Sequence, residues 1–310
     1  MIKKKINRLR KQFKDFGIDG YIIPKNDEFF SEYAKNDRLR YISNFSGSAG
    51  YAVILKSKNY LFVDGRYTIQ AKIESGKHFK IVDYLKIINT NVFKNLNIGI
   101  DPKLFTSEQI KKFFLKNNKV TSINENLVDN ILKAQNKKGS SFYSIGEKIT
   151  GENHLKKISK VASLLKKNKS DYLFITAPEN IAWLLNIRGH DNPTSPIPNC
   201  NLILSKEKKF YLIVEKDKST KLLSEKKLKK SQIIDPKNLN NFLKKLKNKN
   251  AIIDKNTCSL YLEKLFRKRF KIIKSEDPIY LLKSRKNKVE IKNMVNTHII
   301  DGVALSLIHI

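Results

Sequence analysis

Apolar residues open the chain at three- and four-residue intervals. Ile6, Leu9, Phe13 and Phe16 stand among lysines and arginines, which predicts an amphipathic helix over residues 2–16 ended by Gly17. The period then changes. DGYIIP (19–24) is a short apolar run stopped by proline, the pattern of a buried strand. The polar stretch PKNDEFFSEYAKNDRLRYISNF reads as a loop entering a helical turn. SGSAG makes a glycine corner, and YAVIL and YLFVD, joined by KSKN, form a hairpin. GRYTIQAKIES begins a helix with Ile69, Ala71 and Ile73 apolar, and HFKIVDY and NIGID are further strands. TSEQIKKFFLK is a helix with Thr106 or Ser107 as N-cap and Glu108 and Gln109 in its first turn. VTSINENLVDNILK closes the unit.

The same series starts again after Gly151. LKKISKVASLLKKNK is an amphipathic helix, and SDYLFITAPEN mirrors DGYIIPKND. ENIAWLLNIRG mirrors DRLRYISNFSG, and CNLILSKEKKFYLIV mirrors the hairpin. NAIIDKNTCSLYLEKLFRK mirrors NIGIDPKLFTSEQIKKFFLK, and FKIIKSEDPIYLLKSRK mirrors VTSINENLVDNILKAQ. Recurrence in one order at a spacing of about 150 residues is a domain duplication, not a solenoid. The expected class is α/β: two tandem domains, each a mixed sheet flanked by helices. Their bounds are 1–137 and 151–283, with the polar segment 138–150 as linker. Residues 284–310 fit neither copy. Ile291, Met294, Val295, His298 and Val303 recur at helical spacing and begin a third unit whose apolar face has no partner in this sequence.

Composition narrows the setting. With 310 residues, 40% hydrophobic and 29% charged, the chain has material for two folded cores. No apolar run reaches the roughly 18 residues of a membrane span, and the basic N-terminus lacks the apolar core of a signal peptide. Cys200 and Cys258 stand far apart without a CxxC or a companion histidine, which points to neither disulfide nor zinc and suits a reducing cytoplasm. The formal net charge of +33 would suit a polyanionic partner. The lysines, however, are spread over the polar faces of nearly every predicted helix, and no nucleic-acid-binding motif accompanies them, so no specific nucleic acid and no membrane is expected.

Few motifs suggest chemistry. DGRY (64–67) puts an acid and an arginine at a strand end, where α/β folds often carry functional groups; equally, Asp64 can cap the following turn and Arg66 pair with an acid. SGSAG lacks the GK[ST] of a phosphate loop and precedes a strand. IRGHD (187–191) could hold a carboxylate or move a proton, yet no further ligand stands at metal spacing, and a loop touching a neighbouring domain is the simpler reading. Arg66, Arg188, His190 and Asp191 are therefore candidate domain-contact or substrate-rim residues. His298 and Asp301 read as ordinary helix residues. Tyr41 and Trp183 occupy matching positions in the two repeats and are expected to pack in the cores.

PKNDEFFSEY, RLRYISNFSGSAG, LFVDGRYTIQA, ENIAWLLNIRGHD and the closing KNKVEIKNMVNTHIIDGVAL together resemble the three-domain Xaa-Pro aminopeptidases, the aminopeptidase P type of the creatinase/prolidase superfamily (peptidase family M24), over essentially the whole chain. The resemblance implies two creatinase-N-like domains followed by the first helix of a truncated pita-bread catalytic domain. It also implies a cytoplasmic parent enzyme that removes the N-terminal residue from peptides with proline at the second position. The parent would use two divalent metal ions, of manganese type, and dimerise through the catalytic domain. The family's metal ligands lie beyond this sequence, so no catalytic or metal-binding residue is expected in this chain, which should itself be inactive. Phe29 stands where the family commonly has histidine, and Asn44 where it commonly has glycine. The terminal LSLIHI back-translates to a transposon end used in library preparation, and is expected to be foreign to the gene. The alternative is a non-catalytic peptide- or protein-binding module of the same fold; a third reading is nucleic-acid binding through the basic surface.

Overall fold

A computed structural model describes residues 2–34, 36–87, 94–113, 118–132, 139–246 and 249–308. The end of the helix expected from TSEQIKKFFLK, residue 138 of the expected linker and the last two residues of LSLIHI lie outside them. The chain forms two compact units, Met1–Lys138 with Lys255–Leu265, and Gly139–Asp254 with Phe266–Ile310.

The first unit is built on a six-stranded sheet: β1 (Gly20–Pro24), β2 (Gly50–Leu55), β3 (Asn59–Val63), β4 (Lys80–Asp83), β5 (Asn97–Ile100) and β6 (Lys119–Ser122), in the order β4-β3-β2-β1-β5-β6. Only β2 runs against its neighbours; the other pairings are parallel. A sheet of this kind is covered on both faces, which is why its strands read as continuous apolar runs. Alternate residues serve opposite faces. Tyr21, Ile23, Ala52, Ile54, Leu61 and Val63 pack on Ile6, Leu9 and Phe13, whereas Ile22, Val53, Phe62 and Ile98 pack on Phe105 and Ile110.

The second unit repeats this plan. A two-residue strand β7 (Tyr143–Ser144) comes first. The sheet then follows as β8 (Tyr172–Ile175), β10 (Asn201–Ser205), β11 (Phe210–Ile213), β12 (Ile233–Ile234), β13 (Asn250–Asp254) and β14 (Lys271–Ser275), while β9 (Ile187–Arg188) pairs with β7. The order β12-β11-β10-β8-β13-β14 and the single reversed strand, β10, reproduce the first sheet pairing for pairing. The duplication read from sequence is thus a duplication of topology.

Several local expectations change. The first helix is Ile2–Lys11, shorter than 2–16; the next residues form turns up to Gly17 at φ 58°, though Phe13 stays buried. In the helix Thr68–Ser75, Ala71 is buried while Ile69 and Ile73 are 74% and 80% exposed. Residues two apart on a helix face different ways, so an i, i+2, i+4 run cannot share one buried face. Residues 139–150, expected as linker, are packed onto the second unit. Phe142 is fully buried there, its N–H donates to Lys218 O at 2.7 Å, and the Ile145 N–H donates to Asn186 O at 2.9 Å. The closing helix, Lys288–Leu307, starts with a capping box: the Asn287 side chain accepts from the Val289 and Glu290 N–H groups, and Glu290 accepts from the Asn287 N–H. Ile291, Val295 and Val303 on it are more than half exposed.

Candidate functional site

The sheet of the first unit has an open cleft of about 240 Å³ at one edge. Because β1, β3 and β4 run the same way, their carboxyl ends lie together beside the start of β2, the place where α/β sheets commonly receive ligands. Three of the motifs that carry the family resemblance meet there. PKNDEFFSEY supplies Lys25, Asn26, Phe30 and Glu32, SGSAG supplies Ser48, Ala49 and Gly50, and DGRY supplies Asp64; Tyr51 and Tyr84 complete the wall.

Each part of the cleft has a local cause. Asp27, 8% exposed, accepts the N–H groups of Phe29 and Ser31 at 2.9 Å and gives its own N–H to Ser31 O at 3.0 Å. This ties the loop into a knot and holds Phe30 at φ 60°, a conformation that bulky side chains rarely adopt. Burial pushes the Asp27 carboxyl above the usual range, with those two N–H groups opposing the shift. Asn26 anchors the loop by donating to Leu104 O at 3.0 Å. Lys25 pairs with Asp37 at 2.5 Å, and Asp37 caps the helix Arg38–Ser43. A side chain at residue 50 would place its Cβ 2.8 Å from Phe62 O, so the corner requires glycine. Tyr51 stacks on Tyr84 (5.6 Å between centroids) and on Phe105 (6.2 Å), and burial raises its hydroxyl pKa.

The candidate residues named from sequence find partners at home. Asp64 accepts the Arg66 N–H at 2.9 Å and its guanidinium at 2.7 Å; that hydrogen bonding holds the Asp64 carboxyl below the usual range and Arg66 above it. Asp64 does cap a turn, and Arg66 does pair with an acid. Arg188 donates to the carbonyls of Ala182 and Ile187 at 3.1 and 2.8 Å, and burial lowers its pKa. His190 stacks on Tyr143 at 5.3 Å. Asp191 accepts the Asn199 N–H at 2.8 Å and Lys218 Nζ at 2.7 Å. Arg188, His190 and Asp191 share one corner of the second unit. Arg66 belongs to the first.

Sequence reasoning missed two polar constructions, both duplicated. Lys5 sits 4.0 Å over the Tyr41 ring and donates to Tyr41 O at 2.8 Å; Lys157 sits 4.2 Å over the Trp183 ring and donates to Trp183 O at 3.0 Å. Burial lowers both lysines, Lys157 to about 8. The matching places of Tyr41 and Trp183 were the available signal, but nothing periodic marks the lysine that covers each. The helices under these rings both end on a left-handed asparagine, Asn44 at φ 70° and Asn186 at φ 54°. Asparagine tolerates that conformation, as glycine does, which accounts for the departure at residue 44.

The second construction lies at the ends of β5 and β13. Asp101 and Asp254 are buried at matching positions. In the first unit Asn126 donates to Asp101 at 3.0 Å, and Arg38 donates to both oxygens of Asp129 at 2.8 Å and to Glu28 at 2.7 Å. In the second, the Asp277 N–H donates to Asp254 at 3.0 Å and Asn180 donates to Asp277 at 2.8 Å. These carboxylates are occupied in structural roles. Among the described residues no three of His, Cys, Asp and Glu come together as a metal site, so the residues present do not fit a two-metal centre.

The comparisons with known proteins agree with this picture of a duplicated domain. Residues 5–130 and 132–290 each match a Creatinase/Prolidase N-terminal domain family. Xaa-Pro aminopeptidase 1 of Dictyostelium discoideum is 32% identical over 98% of this chain and 52% of its own length, and aminopeptidase P2 of Arabidopsis thaliana is 32% identical over 71% of this chain and 34% of its own. The fold matches the crystal structure of X-prolyl aminopeptidase from Caenorhabditis elegans, described as a cytosolic enzyme with a di-nuclear active site, with a TM-score of 0.86 and 24% identity over 98% of this chain and 55% of that one. The chain thus spans about half the length of the Dictyostelium and Caenorhabditis relatives, although nearly all of it aligns with each. It belongs to the creatinase/prolidase N-terminal domain family, with that domain present twice, and is homologous to the Xaa-Pro aminopeptidases.

Proposed function

We propose that this chain is the non-catalytic N-terminal part of a cytoplasmic Xaa-Pro aminopeptidase. The parent removes the N-terminal residue from peptides with proline second, with two divalent metal ions of manganese type held by residues outside this sequence, and it dimerises through that remaining part. The carrying observation is one of coverage: nearly all of this chain aligns with an Xaa-Pro aminopeptidase, yet it spans 52% of that relative. In this account the two units shape the approach of peptide to a catalytic domain, and Arg66, Arg188, His190 and Asp191 hold the loops that would do so.

The longer protein containing this chain tests the parent's activity. Released N-terminal amino acid is measured from matched peptides with proline or alanine second. The account expects cleavage of the proline peptide, loss on chelation and recovery with manganese. Equal cleavage of both peptides, or activity that survives chelation, would contradict it.

A further inference from the structure

The cleft of the first unit has features that duplication does not explain. The second unit passes from β8 to the helix Pro178–Leu185 within a few residues, whereas the first inserts the whole loop 25–36 between β1 and its corresponding helix. The described part of that insertion lines the cleft with Lys25, Asn26, the left-handed Phe30 and Glu32, and the stretch brings an unusual charge. Four of the 29 acidic residues of a chain with net charge +33 fall within residues 27–37: Asp27, Glu28, Glu32 and Asp37. Three are committed, Asp27 to the loop's own N–H groups, Glu28 to Arg38 and Asp37 to Lys25. Glu32 is not. Among the described residues it has no hydrogen-bond or ion-pair partner, and it stands on the rim beside Asp64, whose charge Arg66 shares. With Lys25 neutralised by Asp37, the cleft presents a carboxylate that has no hydrogen-bonded or ion-paired partner among the described residues, only the more distant charge of Arg66, among the aromatic residues Phe30, Tyr51 and Tyr84. A carboxylate among aromatic side chains is a combination that attracts an organic cation.

We propose that this cleft binds the cationic group of a peptide, either an N-terminal ammonium or a lysine or arginine side chain, with Glu32 as its counter-charge. Such a site is a non-catalytic hold on peptide, and it does not depend on the activity proposed above. Titration calorimetry on the full chain tests it with three blocked or free tripeptides: acetyl-Gly-Arg-Gly-amide, its neutral citrulline isostere, and Gly-Gly-Gly-amide with a free ammonium. At least one cationic peptide is expected to bind saturably, with the citrulline peptide about tenfold weaker or more. Glu32→Gln, at an exposed position and checked for folding by circular dichroism, is expected to weaken the cationic peptide to a similar extent. Binding of the acetylated arginine peptide alone assigns the site to side chains; binding of the triglycine amide alone assigns it to peptide N-termini. Absence of saturable binding by both, equal binding of the citrulline peptide, or unchanged binding by Glu32→Gln would overturn the proposal. Hydrolysis is not the readout, so failure here leaves the reading of the parent enzyme standing.

Discussion

The two units share a strand order and a buried aspartate at the end of the fifth strand of each sheet, but at one matched helix position they meet neighbouring acid differently. In the first, Arg38, with only 7% of its side chain exposed, brings a full cation to Asp129 and Glu28. Burial opposes its charge, yet these acids prevail and raise its pKa. In the second, the corresponding helix position holds Asn180, a neutral amide. Asn180 donates to Asp277, the Asp277 N–H donates to Asp254, and burial pushes the Asp277 carboxyl up to about 6. At one matched helix position the first unit places an ion-paired arginine, and the second an amide bonded to an acid whose pKa burial raises. The same scaffold accepts both because strand pairing and apolar packing are untouched by the exchange.

The sharpest way to break the comparison is to remove the cation. Arg38→Met leaves Asp129 and Glu28 without their partner. Loss of one member of a buried pair costs about 3–5 kcal/mol, and the partial solvent access of the two acids places this variant near the lower end. Urea denaturation should show the first unit unfolding early while the second keeps its midpoint.

Asp277→Asn probes the other solution. An acid whose pKa is raised by folding stabilises the fold below its unfolded value, near 3.8, and loses that contribution as pH rises through its folded value, about 6. The second unit should therefore lose about 2–3 kcal/mol from this group between those limits. His154 acts oppositely. Burial, with Lys227 Nζ 3.0 Å away, lowers it to about 4, so its contribution is lost as pH falls from 6.5. The quantity to measure is the stability difference between Asp277→Asn and wild type, which cancels the histidine. It should favour the variant increasingly from pH 4 to pH 7, and a flat difference would remove the proton from the account.

The two left-handed asparagines give a smaller contrast. Asn44 is exposed, so Asn44→Gly should be neutral or stabilising by less than about 1 kcal/mol. Asn186 is buried and accepts from Lys157 at 2.8 Å while donating to Glu152 O at 2.8 Å; Asn186→Gly should cost about 1–3 kcal/mol by leaving those groups unmet. Denaturant midpoints of the two variants decide this. The smallest signal is spectroscopic. Trp183 is the only tryptophan, and Lys157 sits over its ring with its pKa lowered to about 8. Its fluorescence should titrate near that pH, and Lys157→Met should abolish the step.

What could be read from sequence, and what could not, divides along physical lines. Burial of strands and helices imposes a period, and repetition of that period made the duplication, the hairpins and the matched Tyr41 and Trp183 legible. DGRY was legible as a capped turn because its chemistry is local. The networks of Arg38 with Asp129 and Asn180 with Asp277 join residues 91 and 97 apart and carry no period, so only the folded chain shows them. The segment 138–150 looked like a linker because it is polar on average; one fully buried side chain, Phe142, ties it down. For the cleft, the three motifs were visible separately, but their convergence depends on strand direction.

The central claim, that these two units are scaffold and not catalyst, is tested most directly on the chain itself. The purified 310-residue protein is incubated with manganese and a peptide bearing proline at its second position, and the free N-terminal amino acid is quantified against a blank containing metal and peptide only. The account predicts no release above the blank at any metal concentration. Chelator-sensitive release of the residue preceding proline would contradict it.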